Sequence, residues 1–314
     1  MKTSLIVVDY KTMKETIAYL ERCSKSILDW NDVSIVIIDN EQELDEVNHF
    51  VNAARDVKKV DVKSGGMWKG TLFGRPAYYV KTLSNLGYAK GNNMGAAIAN
   101  KYFEPDFFLF SNNDIQFPEP ISLKTLQQPF ADNKEVGAVG PAIVSAKGEC
   151  QNPGKYLRVR SALHGYYWNM LLPKCFQSAK YKDWVCQEED GFCDYVSGSF
   201  FMIKREIFVE AKGFDPATFL YMEMPILSMR LEKCGYRMYY TKQAQILHVQ
   251  RPTANPLGAP FKNLRFDYQS KQHFYINYGH LSMIYASGAL ITFEIFFSLF
   301  WIKKTFLNLL GIRE

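Results

Sequence analysis

The sequence predicts an α/β fold, a mostly parallel sheet flanked by helices with a helical carboxyl-terminal extension. Two observations carry this. Short β-branched runs, Leu5-Ile-Val-Val and Ser34-Ile-Val-Ile-Ile, have the pattern of strands buried on both faces and bracket a stretch of helical periodicity. Further apolar runs then alternate with helical segments, which favours parallel pairing. The first helix is expected over residues 13–28, where Ile17, Leu20, Cys23, Ile27 and Leu28 recur on one face while Lys14, Glu15, Glu21 and Arg22 take the others. A third strand is expected at Tyr78-Tyr79-Val80, a small-residue helix at residues 94–103 and a fourth strand at Phe107-Phe-Leu-Phe. Val136-Gly-Ala-Val-Gly-Pro and the longer run 195–203 read as later strands. The next helix takes Pro225 as its first residue, which makes Met224 the N-cap, and Gly235 as its carboxyl cap.

The 314 residues are 47% hydrophobic and 22% charged, enough apolar material for one large domain with an extension and too much for a disordered chain. A formal net charge of +5 and a pI near 8.7 suit anionic ligands or an anionic membrane face and fall short of a nucleic-acid-binding signature, so no nucleic acid is expected as a partner. Cys23, Cys150, Cys175, Cys186, Cys193 and Cys234 include no Cys-x-x-Cys pair and no histidine at zinc spacing, and are expected to be reduced thiols of a cytosolic protein. The first apolar run is too short for a signal-peptide core and reads as the start of a strand.

Two segments depart from the α/β pattern. Between residues 155 and 184, Lys155, Arg158, Arg160, Lys174, Lys180 and Lys182 are interleaved with Tyr156, Tyr166, Tyr167, Trp168, Phe176, Tyr181 and Trp184. Such a mixture suits a membrane interface or a sugar- or phosphate-bearing acceptor, and equally an insertion with a solvated basic face. Residues 281–302 are apolar apart from Glu294 and a few small polar residues, and Lys303-Lys304 follow. A mid-segment carboxylate is costly in a spanning helix, so the expectation is a helix lying on a membrane, against the alternative of one closing a core or a homodimer interface.

Three polar motifs stand at predicted strand ends: Asp39-Asn40, the block Asn85-Leu-Gly-Tyr-Ala-Lys-Gly-Asn-Asn-Met-Gly, and Asn112-Asn113-Asp114. Ligands of open α/β sheets bind beyond the carboxyl ends of the strands, where a hard cation needs carboxylate or carbonyl oxygen. Taken singly, Asn112-Asn113-Asp114 also reads as ordinary turn chemistry and the glycines of the block as a structural turn. The block matches neither a P-loop nor a dinucleotide fingerprint.

Taken together and in order, these motifs resemble the family 2 glycosyltransferases of the GT-A fold, a Rossmann-like architecture, and most closely bacterial rhamnosyltransferase-like members that build surface polysaccharides. The resemblance runs over residues 5–248 and includes the opening Val7-Val8-Asp9-Tyr10-Lys11, Asp194-Tyr-Val-Ser-Gly-Ser, Gly213-Phe-Asp-Pro and Phe219-Leu-Tyr-Met-Glu-Met. It implies a glycosyltransferase domain over residues 1–255, with a nucleotide-binding half (1–115) and an acceptor-binding half (116–255), and a helical extension over 256–314 that associates with a membrane or partner.

The resemblance also assigns roles. Tyr10, Asp39, Asn85, Lys90, Gly91, Asn92, Asn112 and Asn113 are implied to bind the nucleotide sugar, with Gly198 and Ser199 bordering the donor sugar. Asn112-Asn113-Asp114 stands where the family has its Asp-x-Asp motif, so Asp114, joined by His248, is implied to hold a divalent ion, Mn²⁺ or Mg²⁺, and Asn112 replaces the first carboxylate. Relatives carry two consecutive acids where this chain has Glu223-Met224, and the second is the usual general base. Methionine cannot take a proton, so Glu223 is the candidate base, with a helix-dipole or acceptor-orienting role as the other reading.

The implied activity is inverting transfer of a sugar from a UDP- or dTDP-linked donor to a hydroxyl of a glycan or lipid-linked glycan in surface polysaccharide synthesis, such as O-antigen or capsule. The implied place is the cytoplasm, peripherally on the inner face of the membrane. A catalytically impaired relative that binds sugar nucleotide or glycan as an assembly partner is the alternative, supported by Met224. A nucleotidyltransferase ranks last, because Asp9-Tyr-Lys-Thr lacks a glycine-rich loop with an arginine.

Overall fold

The computed structural model describes residues 1–41, 46–60, 66–155, 184–249, 259–279 and 283–309, which form two compact units, one built on a sheet and one carrying the last two helices with residues 220–222. In the sheet unit, β1 (Thr3–Asp9) leads into α1 (Met13–Ser26) and pairs in parallel with β2 (Val33–Asp39), Asp9 opposite Asp39. Every residue of β2 is buried, as a strand covered on both faces requires. α2 (Glu46–Ala53), β3 (Arg55–Val60), β4 (Gly66–Leu72) and β5 (Arg75–Lys81) follow, then α3 (Gly87–Tyr102), β6 (Phe107–Ser111), β7 (Ile115–Gln116), α4 (Leu123–Asp132) and β8 (Val136–Ser145). The unit is completed by β9 (Gly191–Cys193), β10 (Phe200–Lys204), α5 (Arg205–Glu210), α6 (Glu223–Lys233) and β11 (Arg237–His248).

The strand order is β3-β4-β5-β2-β1-β6-β10-β8-β11-β7, with β9 on β11. β5, β2, β1 and β6 form a parallel centre, and β11 runs parallel to β8, while β10 inserts antiparallel between β6 and β8. One edge of the sheet therefore gathers the carboxyl ends of β1, β2, β6, β8 and β11 and the entry to β10. Strand alternation divides the side chains between two faces. Leu5, Val7, Ile35, Ile37, Phe107 and Leu109 join Tyr19, Leu20, Phe50 and Leu126 in one core. On the other face Phe108, Phe110, Phe201, Phe208 and Phe214 pack mostly edge to face with centroids 5.2–6.2 Å apart, and each buried ring contributes roughly 1.5–3 kcal/mol.

The sheet differs from expectation at several points. β3 and β4 add an antiparallel ribbon on β5 that the sequence reading lacks, because Arg55-Asp-Val-Lys-Lys carries almost no buried side chain to mark it. The helix expected at 94–103 begins at Gly87, so most of the 85–95 block is helical rather than a turn. The strand expected at 195–203 is confined to Phe200–Lys204. Before it, Ser197 and Ser199 bond each other (2.9 Å) and the Ser197 amide donates to Asn152 (2.9 Å), which draws this backbone away from the ladder. α6 starts at Glu223, so Met224 lies within its first turn and is not the N-cap. The cysteines are not all thiols, since Cys150 and Cys186 form a disulfide. Their separation in sequence gave no cue; local bridges of Val144 to Cys150 and Gly154 to Trp184 bring them together. The basic aromatic stretch lies outside the described residues between 156 and 183, as do residues 250–258.

In the second unit, α7 (Ala259–Asn277) and α8 (Met283–Leu309) pack through Leu264, Tyr268, Phe293, Phe296 and Phe300. Glu294, the carboxylate of the apolar segment, is bound by Arg265 through two contacts of 3.2 and 3.1 Å. Ile291, Ile295, Leu299, Ile302 and Phe306 recur at helical spacing on an exposed face of α8. Among the described residues, no helix is long and apolar enough to cross a membrane.

Candidate functional site

The carboxylates that end β1 and β2 are both fully buried, and the chain itself supplies their donors. Asp9 Oδ1 accepts from Thr12 Oγ1 (2.7 Å), Thr16 Oγ1 (2.6 Å) and Asn113 Nδ2 (3.2 Å), and Oδ2 from the Thr12 amide (3.2 Å). This network fastens the loop after β6 to the start of α1, which makes Asn113 an anchor rather than a free ligand contact. Burial pushes the Asp9 carboxyl up against these donors. Asp39 accepts from the Tyr79 hydroxyl and from the Glu41 amide (2.8 Å). Burial pushes its carboxyl up to about 6, with Tyr79 and the Glu41 amide opposing.

This has a consequence for stability. Below about pH 4 Asp39 carries its proton in both folded and unfolded chains; between 3.8 and about 6 the unfolded chain releases it first, so stability falls as pH rises through that window and stays lower above it. Asp39→Asn removes the loss. In urea unfolding, the stability of the variant relative to the native chain is expected to rise by about 1–3 kcal/mol between pH 4 and pH 7.5; a difference constant with pH would show that Asp39 titrates normally.

The 85–95 block builds the start of α3. Asn85 Oδ1 accepts from the Gly87 amide (2.9 Å), and Asn40 Nδ2 donates to the Gly87 carbonyl (3.2 Å). Gly87 has φ +72° and sits against the Phe219 carbonyl, where a side chain would collide. Gly91 and Gly95 face Val8 and Ile6 of β1, so their missing side chains let the helix close on the sheet. Asn92, buried, bonds back to the Tyr88 carbonyl (3.0 Å), while Asn93 both donates to and accepts from Phe214 (2.9 Å each). Asn85, Gly91 and Asn92 thus serve helix initiation and packing, and Lys90 points to solvent. The Asn85 Oδ1 and Asn92 Nδ2 atoms of this block are bonded within the fold, while the Lys90 side chain stays exposed. Tyr10 is half exposed at the same sheet edge, with the Lys11 ammonium 5.6 Å from its ring centroid.

At the entry to β10, the Asn112 amide donates to the Ser199 carbonyl (2.8 Å) and the Tyr88 hydroxyl to the Gly198 carbonyl (2.7 Å). Gly198, Ser199 and Asn112 lie together here, and the half-buried Asn112 side chain makes no hydrogen bond among the described residues. Glu223 is buried at the head of α6, close enough to Tyr88 that burial and then the Glu223 charge push the phenol well above its ordinary value. Met224, also buried, packs against Gly198.

Asp114 and His248 meet although they are far apart in sequence, because β7 pairs with β11. Asp114 Oδ1 lies 3.2 Å from His248 Nε2, and that buried oxygen accepts no hydrogen bond. His248 Nδ1 lies 2.7 Å from Gln151 Oε1; with that oxygen facing it, a neutral ring that donates to it carries its proton on Nδ1 and leaves Nε2 as the acceptor on the Asp114 side. In that form the two atoms are facing acceptors, which a shared cation would bridge. Their separation also matches neighbouring ligands of an octahedral ion, roughly 3 Å apart when the bonds are about 2.1 Å. Among the described residues no third histidine, cysteine or acid joins them. The pair fits a divalent ion whose other ligands come from water or from a bound anion. Gln151, like Tyr79 and Tyr88, escaped the sequence reading because its partner is remote and no spacing marks it.

A comparison of this fold with solved structures finds GalNAc-T7, crystallised with UDP, GalNAc and Mn²⁺, at a TM-score of 0.56 and 15% identity, covering 88% of this chain and 50% of that one. The chain has the GT-A glycosyltransferase fold. In sequence it is similar to N-acetylglucosaminyl-diphospho-decaprenol L-rhamnosyltransferase of Mycobacterium tuberculosis, 28% identical over 179 residues, 53% of this chain and 57% of that protein. Rhamnosyltransferase WbbL of Escherichia coli K12 is 24% identical over 170 residues, 52% of this chain and 60% of that protein. The matches thus span little more than half the length of these curated relatives. No protein-family profile matches the chain.

Proposed function

We propose that this GT-A protein is an inverting glycosyltransferase that moves a sugar from a UDP- or dTDP-linked donor to a hydroxyl of a glycan or lipid-linked glycan during surface polysaccharide synthesis. The observation that carries the reading is the Asp114–His248 pair, two acceptors 3.2 Å apart at the sheet edge where a GT-A donor binds. The rhamnosyltransferase names of its relatives support the substrate class.

In this reading Tyr10 stacks on the base and Asp39 fixes the position of the strand ends that receive the nucleotide. Asn112, with an uncommitted side-chain amide, bonds a ribose hydroxyl or donates to the diphosphate, and Gly198 and Ser199 border the sugar. Asp114 and His248 hold the divalent ion, which when bound supplies positive charge to the departing diphosphate. Glu223 takes the proton of the attacking hydroxyl, while Tyr88 packs beside it and fixes the Gly198 carbonyl. The exposed apolar stripe of α8, with Trp301 beside it, lies peripherally on the membrane that presents a lipid-linked acceptor.

A second reading, a glycosyltransferase-like binding protein without turnover, is favoured by Met224, which fills with a buried thioether the position where relatives place their base. Incubating the protein with nucleoside-diphosphate sugars, Mn²⁺ and a polyprenyl-diphosphate-linked sugar, and reading the mass of the lipid product, separates the two. A gain of one sugar residue supports transfer; donor binding without product supports the second reading.

A further inference from the structure

We propose that Gln151 is a positioning residue of the metal site: its side-chain oxygen holds the His248 imidazole in the Nδ1–H form, which leaves Nε2 for the divalent cation. This rests on the reading of Asp114 and His248 as the protein's metal ligands.

Gln151 is buried, and the residues around it leave its backbone little room to drift. Its amide donates to the Ile143 carbonyl (2.8 Å), which pairs this segment back onto the last residues of β8. On one side Cys150 is tied to Cys186 by the disulfide. On the other, Asn152 donates to the Pro141 carbonyl (2.6 Å) and accepts from the Ser197 amide (2.9 Å), and the Gly154 amide donates to Tyr195 (2.8 Å). A segment anchored to β8 and to the entry of β10 thus carries one side chain whose oxygen lies 2.7 Å from His248 Nδ1. An imidazole that coordinates a metal through one nitrogen commonly donates the other N–H to a carbonyl or carboxylate oxygen, and loss of such a partner typically weakens metal binding about 10–100-fold.

The competing arrangement is specific. If the Gln151 amide nitrogen faced His248, Nδ1 would be the acceptor and Nε2–H would donate to Asp114, an ordinary hydrogen bond that blocks a metal. Glutamate at this position can only accept and leucine can do neither, so the two substitutions tell the arrangements apart.

Mn²⁺ binding to the full chain, counted from the free-ion electron paramagnetic resonance signal, would be measured for the native protein, Gln151→Leu, Gln151→Glu and Asp114→Asn, together with the ¹⁵N shifts of the metal-free His248 ring. The native protein and Gln151→Glu are expected to bind Mn²⁺ and to show the Nδ1–H form, Gln151→Leu to bind about 10–100-fold more weakly with the Nε2–H form gaining population, and Asp114→Asn to lose binding. Gln151→Leu binding as tightly as the native protein, or Gln151→Glu binding as weakly as Gln151→Leu, overturns the role of Gln151 and leaves the metal site standing. An Nε2–H ring in the native protein overturns it without any variant. A native protein that binds no Mn²⁺ removes both this role and the metal reading beneath it.

Discussion

Glu223→Gln is expected to leave nucleotide-sugar affinity unchanged and to lower the rate of sugar transfer by about 10²–10⁴-fold, the usual contribution of a positioned general base. The substitution keeps the shape of a side chain that is buried at the first residue of α6 and removes its charge and its ability to take a proton. Its cost to the fold is small, because an acid in the first helical turn contributes about 0.3–1 kcal/mol through the helix dipole. The rate loss should therefore appear in kcat with thermal stability nearly intact. Full activity in Glu223→Gln would remove the residue from the mechanism. Met224→Glu is informative beside it: a second carboxylate against Gly198 that left transfer unchanged would show that the chain does not lack a base at 224.

Asp114→Asn and His248→Ala are each expected to abolish the metal-dependent part of donor affinity, by more than the 10–100-fold typical of residues outside the coordination shell. Stability should move the other way or not at all for Asp114→Asn, since the exchange removes a buried oxygen that accepts no hydrogen bond. Calorimetric titration in the presence and absence of Mn²⁺, paired with thermal unfolding, checks both halves. A variant that kept the Mn²⁺ enhancement would place the ion elsewhere, and one that unfolded would mark the pair as structural.

The framework of the fold is legible in the chain because buried strands such as Val33–Asp39 and Phe107–Ser111 advertise themselves by unbroken apolar runs, and α1 by its periodicity. β3 is hidden for the opposite reason, as an exposed edge strand of charged residues. The polar motifs were visible as motifs, yet their division of labour was not. Asn85 and Asn92 look like ligand contacts in sequence, and only the backbone partners of α3 reveal that Asn85 Oδ1 and Asn92 Nδ2 also bond Gly87 and Tyr88. Only resemblance pairs Asp114 with His248 in sequence, and the two-residue ladder of β7 on β11 brings them together. Gln151 and the Cys150–Cys186 disulfide depend on residues distant in sequence, and no local pattern encodes such contacts.

The central claim is that the sheet edge binds a nucleoside-diphosphate sugar through a divalent ion at Asp114 and His248. Isothermal titration of the native chain with UDP-, dTDP- and GDP-linked sugars, with and without Mn²⁺, tests it most directly. The account predicts saturable binding of a UDP- or dTDP-linked sugar that strengthens when Mn²⁺ is present. Heat signals indistinguishable from dilution for every donor under both conditions would contradict it.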